Sequence, residues 1–392
     1  SALTLPFYLY LNKLILINMK LKYFSLLVFV LPLISFAQQT INGSIMHDNI
    51  QRSYIMYVPS SYSPSNPVPL VFCFHGYGSN STTNFNYTNF RSISDTAGFI
   101  VVHPQGTLLQ GVPHWNVGGW TLASTTDDVG FTNALIDSIS SNYSINADRI
   151  YSTGMSNGGY MSFLLACQLS NRFAAVASVT GSMTPQTYNN CNPQHPTPIL
   201  QIHGTVDGTV PYVGNPTWTK SIDDVLQYWS NYNNCNPNPS ITALPDLNTS
   251  DGSTVEYYIY DNGDNGTTAE HFKVTGGDHD WPGVFGNMDI NASIEVWKFF
   301  SKFDINGAIS SLSSPQNTEN IFKLYPSPSS DFITIESNIN VGTYYQILSI
   351  EGRVISEGKI SSSSHQINIS DYTPGNYLLK IDGTTKRFIV TK

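Results

Sequence analysis

Between residues 68 and 303 the chain alternates two kinds of segment, and that alternation limits the folds open to it more than any other feature. Short apolar, β-rich runs occur at 68–73, 99–103, 149–153, 174–179 and 199–203, with 255–260 as the expected last of the series. Stretches of helical period fall at 133–141, 157–169, 222–232 and 294–303. Short, largely apolar strands spaced by helices predict an α/β fold with a mostly parallel sheet covered on both faces. Residues 51–58 read as an amphipathic strand that opens the sheet antiparallel. Hydrophobic residues make up 41% of the 392, enough for a large core, whereas charged residues reach only 11%. An ordinary soluble domain carries about 25% charged residues, so Asn, Ser, Thr and Gly must form most of this surface.

The flanks read differently. Met19-Lys20-Leu21-Lys22 is a short basic segment before an apolar run at 23–36, and Ser35-Phe36-Ala37 supplies the small residues a signal peptidase needs. The run is shorter than the about 20 residues that cross a bilayer. Residues 19–37 are therefore expected to be a signal peptide, and 1–18 an upstream leader outside the mature chain. Residues 306–320, rich in Ser and Asn and without periodicity, are the expected linker between an α/β domain at 38–305 and a C-terminal domain at 321–392. In that last segment, strand-like runs at 332–336, 344–349, 352–359, 364–369, 376–381 and 386–391 are separated by turns such as Pro374-Gly375. They predict a small all-β sandwich. The formal net charge of −9 arises in the middle segment, where residues 38–305 hold 20 acidic and 8 basic side chains. Such an acidic balance argues against nucleic acid as a partner.

Gly154-Met155-Ser156-Asn157-Gly158-Gly159 follows directly on the strand at 149–153 and leads into the helix at 157–169. In that context a G-x-S-x-G sequence makes a tight strand-to-helix turn that pushes the Ser hydroxyl into the open, above a helix N-terminus that favours developing negative charge. Ser156 is the candidate nucleophile; a plain turn with a capping Ser is the alternative. A hydroxyl needs a base oriented by a third group, and in this arrangement the partners follow in the order Ser, acid, His. His279 lies in Gly276-Gly277-Asp278-His279-Asp280-Trp281-Pro282-Gly283, where glycines and a proline fix an exposed side chain, and is the candidate base. His195 and His203 precede the best acid, His271 sits in a strand-like run, and His365 belongs to the C-terminal domain. Asp207 is that acid: it follows the strand at 199–203, and such loops lie at the C-terminal edge of a parallel sheet, where sites form. Asp278 and Asp280 adjoin His279 but would point away from it in an extended loop.

An oxyanion hole takes two backbone N–H groups. Asn157, just after the nucleophile, supplies one, and His75-Gly76-Tyr77-Gly78 is expected to supply the other at Tyr77. Trp115, Trp120 and Trp281 lie in Gly-rich loops near strand ends. With Tyr212 they are candidate substrate-binding residues for an aromatic acyl group or a sugar chain; packing of the loops is the competing reading. Of four cysteines, Cys73 and Cys167 fall in core patterns. Cys191 and Cys235 lie in polar loops that the expected topology puts at the end of the sheet opposite the site, and they are the predicted disulfide. Asp127-Asp128 precedes a helix and is expected to cap it and order its loop. No His/Cys cluster has metal-ligand spacing, and neither a metal nor a cofactor is expected.

These residues resemble a known family. Asp127-Asp128-Val129-Gly130-Phe131, Asp148-Arg149-Ile150-Tyr151, the Ser156 motif, Arg172-Phe173-Ala174-Ala175-Val176, His203-Gly204-Thr205 with Asp207, and the stretch around His279 look like secreted α/β-hydrolase esterases. The group is that of feruloyl and acetylxylan esterases and polyhydroxybutyrate-depolymerase-like enzymes, and the likeness covers residues 48–303. It implies the α/β-hydrolase fold and ester hydrolysis through Ser156, Asp207 and His279. One departure is Asp278, where a Gly is expected. The tail is similar to the C-terminal sorting domain that Bacteroidetes proteins carry for type IX secretion, through Leu324-Tyr325-Pro326-Ser327-Pro328, Gly352-Arg353, Gly375-Asn376-Tyr377 and Lys386-Arg387-Phe388. A carbohydrate- or polymer-binding module is the alternative there.

Together these readings predict a secreted or cell-surface serine carboxylic-ester hydrolase acting on feruloyl or acetyl esters of plant polysaccharide. A polyester depolymerase, acting on polyhydroxybutyrate or an aromatic polyester, is the alternative. A serine peptidase would use the same triad, but the sequence shows no propeller domain or cationic P1-type pocket. The expected partners are the ester substrate, polysaccharide-linked or polyester, and the type IX secretion machinery.

Overall fold

Apolar and β-branched runs become strands throughout the computed structural model, which describes residues 38–309, 322–337, 341–349, 354–381 and 384–391. The expected leader and signal peptide, and residues 310–321, lie outside the described residues. The chain divides into two compact units, the first ending at Ile309 and the second beginning at Ser310.

The strands of the first unit are β1 (Gln39–His47), β2 (Ile50–Val58), β3 (Val68–Phe74), β4 (Ile100–Pro104), β5 (Thr107–Leu109), β6 (Val112–His114) and β7 (Ile145–Met155). They continue with β8 (Ala175–Val179), β9 (Ile199–Gly204), β10 (Ser240–Ala243), β11 (Thr254–Tyr260), β12 (Ala269–Thr275), β13 (Phe303–Asp304) and β14 (Gly307–Ala308). Ten of them form one sheet in the order β1-β2-β4-β3-β7-β8-β9-β12-β11-β10. The six inner strands from β4 to β12 are parallel, and antiparallel strands extend both edges.

Seven α-helices are described in this unit: α1 (Ser81–Thr88), α2 (Arg91–Ala97), α3 (Asp128–Asn142), α4 (Asn157–Gln168), α5 (Pro185–Asn189), α6 (Ile222–Tyr232) and α7 (Ala292–Phe300). Side chains alternate along a strand, so β3 feeds two cores. Leu70, Phe72 and Phe74 join Phe131 and Leu135 of α3, Phe163 of α4 and Trp229 of α6. Val71 and Cys73 join Phe85 of α1 and Phe299 and Phe300 of α7 on the opposite face.

The series of parallel strands does not end at 255–260. That run is β11, which is antiparallel, and β12 completes the parallel set. Glu270, His271 and Lys273 interrupt its apolar character, yet each has a partner. Buried Glu270 pairs with Lys302 at 3.0 Å, His271 contacts the Tyr212 hydroxyl at 3.1 Å, and Lys273 lies 3.9 Å from Glu256. Helices α1, α2 and α5 carry too few apolar residues to show a period. Side-chain caps start two of them: Asn80 accepts from Thr83 N–H at 2.9 Å, and Thr184 from Thr187 N–H at 3.0 Å.

Helix α3 begins earlier than its apolar period suggests, and the acidic pair explains why. Asp127 accepts from Gly130 N–H at 2.8 Å, capping the helix. Asp128 is buried, pairs with Arg52 at 2.6 Å and accepts from Asn116 N–H at 2.7 Å, which fixes the preceding loop.

The predicted Cys191–Cys235 pairing is corrected. Cys191 is bonded to Cys167, with Cα atoms 4.7 Å apart. Helix α4 descends from Ser156 and ends, at Cys167 and Gln168, on the same side of the sheet as the Cys191 loop; the sequence reading placed the loop correctly but overlooked the helix end. Cys235 instead faces the Thr267 carbonyl at 3.8 Å, and burial pushes its thiol up to about 11.

β13 and β14 form a hairpin, and Ile305 N–H donates to Asp148 O at 2.8 Å, so residues 306–309 fold with the first unit rather than forming linker. The second unit comprises β15 (Phe322–Tyr325), β16 (Phe332–Ser337), β17 (Tyr344–Ser349), β18 (Val354–Lys359), β19 (Ser364–Asn368), β20 (Gly375–Ile381) and β21 (Thr384–Val390). Two antiparallel sheets, β15-β16-β19 and β18-β17-β20-β21, enclose Ile333, Ile335, Ile347, Leu379, Ile381 and Phe388.

The disulfide closes a loop of 24 residues. Cys191→Ala is expected to lower stability by about 2–4 kcal/mol, whereas Cys235→Ser should leave the thermal midpoint nearly unchanged. Peptide mapping without reductant checks the pairing, and a recovered Cys191–Cys235 peptide would contradict it.

Candidate active site

β7 brings the chain to the sheet edge at Met155 and α4 leaves from Asn157, so the reversal falls on Ser156. Ser156 takes φ +54° and ψ −119°, a conformation that costs a residue with a side chain about 1–3 kcal/mol. Close packing enforces it. A Cβ on Gly154 would sit 2.6 Å from the Phe74 and Gly158 carbonyl oxygens, and one on Gly158 would sit 2.1 Å from the Phe74 oxygen. Strand β3 and helix α4 therefore meet backbone to backbone.

Hydrogen bonds lock the neighbouring strand ends in step. Ser156 N–H donates to Val179 O at 2.8 Å, Thr180 N–H to Ile202 O at 2.9 Å, and Thr205 N–H to Val274 O at 2.9 Å. Ser156 and the loops carrying Asp207 and His279 thus emerge along one edge.

Asp207 is buried, and its four closest donors leave little freedom. Oδ1 accepts from Thr209 and Val210 N–H, both at 2.8 Å. Oδ2 lies 2.8 Å from His279 Nδ1 and 3.2 Å from His203 Nε2. Burial pushes the carboxyl up, but hydrogen bonds from His203 and His279, the His279 charge and the Val210 N–H outweigh it and hold Asp207 well below the usual carboxylate range. With Nδ1 on Asp207, the His279 ring presents Nε2 on its far side. Asp278, expected to point away, curls back: its Oδ1 accepts from His279 N–H at 2.8 Å and Gly208 N–H at 3.0 Å, tying the two loops together.

Across from these loops, the turn after β3 approaches the serine. A Cβ on Gly76 would lie 3.5 Å from Ser156 Cβ. Gly78 N–H donates to Pro113 O at 2.8 Å and Ser79 N–H to Gly76 O at 3.1 Å, while Tyr77 N–H has no backbone acceptor among the described residues. Asn157 opens α4, so its N–H lacks an intrahelical acceptor. Its side chain is committed elsewhere, accepting from Trp115 N–H at 2.7 Å and donating to Trp115 O at 3.1 Å.

Two of the expected substrate-binding residues are corrected. Trp115 is fully buried, donates its indole N–H to His75 O at 2.9 Å and packs edge-on against Phe74. Trp281 is also fully buried, donates to Ser293 Oγ at 3.1 Å and packs against Tyr87 and Phe90. Gly-rich loops read as surface, but here the indoles anchor those loops to the core. Trp120 is half-buried, edge-on to Tyr77 at 5.7 Å and to Tyr160 at 5.9 Å. The Tyr212 hydroxyl lies between Asp223 at 3.3 Å and His271 at 3.1 Å, held in a side-chain network.

The sequence reading assigned His75 no role. Its Nδ1 donates to Gly76 O at 2.8 Å and its Nε2 accepts from Gly106 N–H at 3.0 Å, so it pins the Gly76–Tyr77 turn. His47, Asp48 and Asp127 bring three potential ligand atoms within 4.8 Å. Their separation along the chain hid this from any reading of spacing; both carboxylates are exposed, and Asp127 already caps α3.

The first unit has the α/β-hydrolase fold: a solved acetyl xylan esterase from Aspergillus awamori superposes with a TM-score of 0.50 at 16% identity, covering 68% of this chain and 99% of that one. Residues 58–236 match the phospholipase/carboxylesterase family, and residues 323–392 match the secretion system C-terminal sorting domain. The chain is 26% identical over 272 residues to a bifunctional acetylxylan esterase/xylanase of Neocallimastix patriciarum, covering 69% of this chain and 36% of that protein. It is 31% identical over 179 residues to a probable feruloyl esterase C of Aspergillus flavus, covering 45% of this chain and 62% of that protein. The chain thus spans less than two thirds of the length of either relative.

Burial holds His75 at about 4 and His103 and His271 at about 3, against about 6.5 for a free histidine. Between those values the unfolded chain binds more protons than the folded one, so stability falls as pH drops below about 6.5. Thermal melts should therefore give a lower midpoint at pH 5 than at pH 7; an equal or higher midpoint would contradict the neutral buried histidines.

Proposed function

We propose that the first unit is a secreted serine carboxylic-ester hydrolase working through Ser156, His279 and Asp207. The observation that carries this reading is the 2.8 Å contact between His279 Nδ1 and Asp207 at the sheet edge where Ser156 makes its strained turn. Ionised Asp207 keeps the proton of His279 on Nδ1, leaving Nε2 as the base. Ser156 Oγ attacks the ester carbonyl as its proton passes to Nε2. The tetrahedral oxyanion is stabilised by the N–H groups of Asn157 and Tyr77, with the N-terminus of α4 adding favourable charge. Collapse breaks the ester C–O bond, and the alcohol leaves with the proton from His279. Water then repeats the sequence on the acyl-enzyme, releasing the acid and restoring Ser156. No metal or cofactor is needed for these steps.

Feruloyl or acetyl esters on plant polysaccharide are the proposed substrates, because the relatives reported above are named acetylxylan and feruloyl esterases. Tyr77 and Trp120 are the aromatic residues best placed to meet them. A polyester is the second reading, favoured by the exposed apolar side chains of Tyr77 and Val206, which flank the proposed oxyanion hole and acid. The match to a secretion system C-terminal sorting domain supports export through type IX machinery, to the medium or the cell surface.

Hydrolysis of methyl ferulate, acetylated xylan, 4-nitrophenyl butyrate and a polyhydroxybutyrate film by the full chain and by Ser156→Ala tests both readings. Ferulate or xylan turnover should fall by about ten-thousand-fold or more in the variant. Activity confined to the butyrate ester and the film would move the substrate to polyester. Equal rates in the two proteins would remove the triad.

A further inference from the structure

The proposed acid touches two histidines, and the mechanism uses only one. His203, on β9, is fully buried, and its Nε2 lies 3.2 Å from Asp207 Oδ2, the oxygen that also meets His279 at 2.8 Å. We infer that His203 is a positioning residue for the triad: its Nε2–H, held between Val210 O and Asp207 Oδ2, fixes the orientation and ionisation of Asp207, and through Asp207 it sets the basicity of His279. This inference rests on the triad reading above and goes beyond it.

The proton on His203 can be located from its neighbours. The Gln201 amide nitrogen donates to Gly181 O at 2.9 Å and faces His203 Nδ1 at 3.0 Å. An amide N–H only donates, so Nδ1 must accept, and the ring proton sits on Nε2. Nε2 in turn faces two acceptors, Val210 O at 2.9 Å and Asp207 Oδ2 at 3.2 Å. Gln201 thus dictates the tautomer, and the tautomer places the one Nε2–H between Val210 O, its shorter contact, and the acid oxygen beside it. A histidine serving only as core filler would not need its second nitrogen fixed in this way.

The consequence is chemical. Oδ1 of Asp207 is held by two backbone N–H groups, so His203 is the one side-chain donor on the acid besides His279 among the described residues. Without it, the carboxylate becomes more basic and draws harder on His279 Nδ1–H. That stabilises the imidazolium, so the free base of His279 is reached only at higher pH. Other titratable groups facing these three residues are Tyr212 and His271 around His203, Tyr160 on α4, and Asp278 and Asp280 on the His279 loop. His271 feels the His203 ring and Tyr212 packs edge-on to that ring, so the pH readout is taken from the difference between His203→Leu and His203→Gln, which both lack the imidazole.

The test compares His203→Leu, His203→Gln and Ser156→Ala in the full chain, with kcat and KM for 4-nitrophenyl butyrate measured across about pH 4 to 9. His203→Leu, lacking a donor, should lose about 10- to 100-fold in kcat with KM little changed. The acid limb of its kcat/KM profile should move to higher pH. His203→Gln, whose amide N–H reaches toward the position of Nε2, should recover most of the rate and return the limb. Equal losses in both variants with an unmoved limb would overturn the inference, as would a Leu variant indistinguishable from wild type. If His203→Leu does not fold, Gln201→Leu frees Nδ1 to take the proton and should shift the limb the same way; an unmoved limb there also overturns the inference. Failure of the triad reading looks different, since wild type and Ser156→Ala would then be equally active.

Discussion

The site depends on one backbone contact, the approach of α4 to β3 where Gly158 meets the Phe74 carbonyl. No side chain fits there, so α4 starts directly against the strand and the turn at Ser156 is driven into an otherwise disfavoured conformation. The same approach sets Asn157 against Trp115 and brings the Gly76–Tyr77 turn alongside the serine. The proposed nucleophile, the proposed oxyanion donors and the buried tryptophan that steadies them are consequences of one packing constraint. Strain at Ser156 is tolerable because two well-packed cores, one on each face of the sheet, hold the strands that impose it.

Electrostatics completes what packing begins. A carboxylate taken out of water disfavours its charge, yet Asp207 is held ionised by two backbone N–H groups and two histidines. Its strong hydrogen bond with His279 exists because the loops after β9 and β12 are laced together, by Val206 N–H on Gly277 O and by Asp278 on Gly208 N–H. Asp278, which departs from the glycine expected at its position, is therefore a structural clasp between the Asp207 loop and the His279 loop.

Much of this was legible in the sequence, for physical reasons. Strands buried on both faces, such as β3, β8 and β9, are mostly apolar runs, and α4 and α6 follow from apolar residues at helical spacing. Ser156, Asp207 and His279 stand out because each follows a strand end at a turn rich in glycine. What escaped depends on partners distant in sequence. The strand-like run around His271 did not declare itself the last parallel strand, because Glu270 and His271 are acceptable in a buried strand only where Lys302, Tyr212 and Gln201 meet them. The disulfide was missed because the end of α4 shares an edge with the Cys191 loop, a fact of topology rather than of composition. Trp115 and Trp281 looked exposed because their loops are glycine-rich, whereas glycine there lets the loops fold down onto the core. In the sequence His203 is set aside because it precedes Asp207; its contact with that carboxylate and its tautomer, which Gln201 decides, depend on the fold.

The central claim is that Ser156 is a nucleophile activated by His279. Peptide mass spectrometry of the full chain after brief treatment with a fluorophosphonate tests it most directly. The account predicts a single adduct, on Ser156, that forms far more slowly in His279→Ala. An adduct on another residue, no adduct at all, or equal labelling in the two proteins would contradict it.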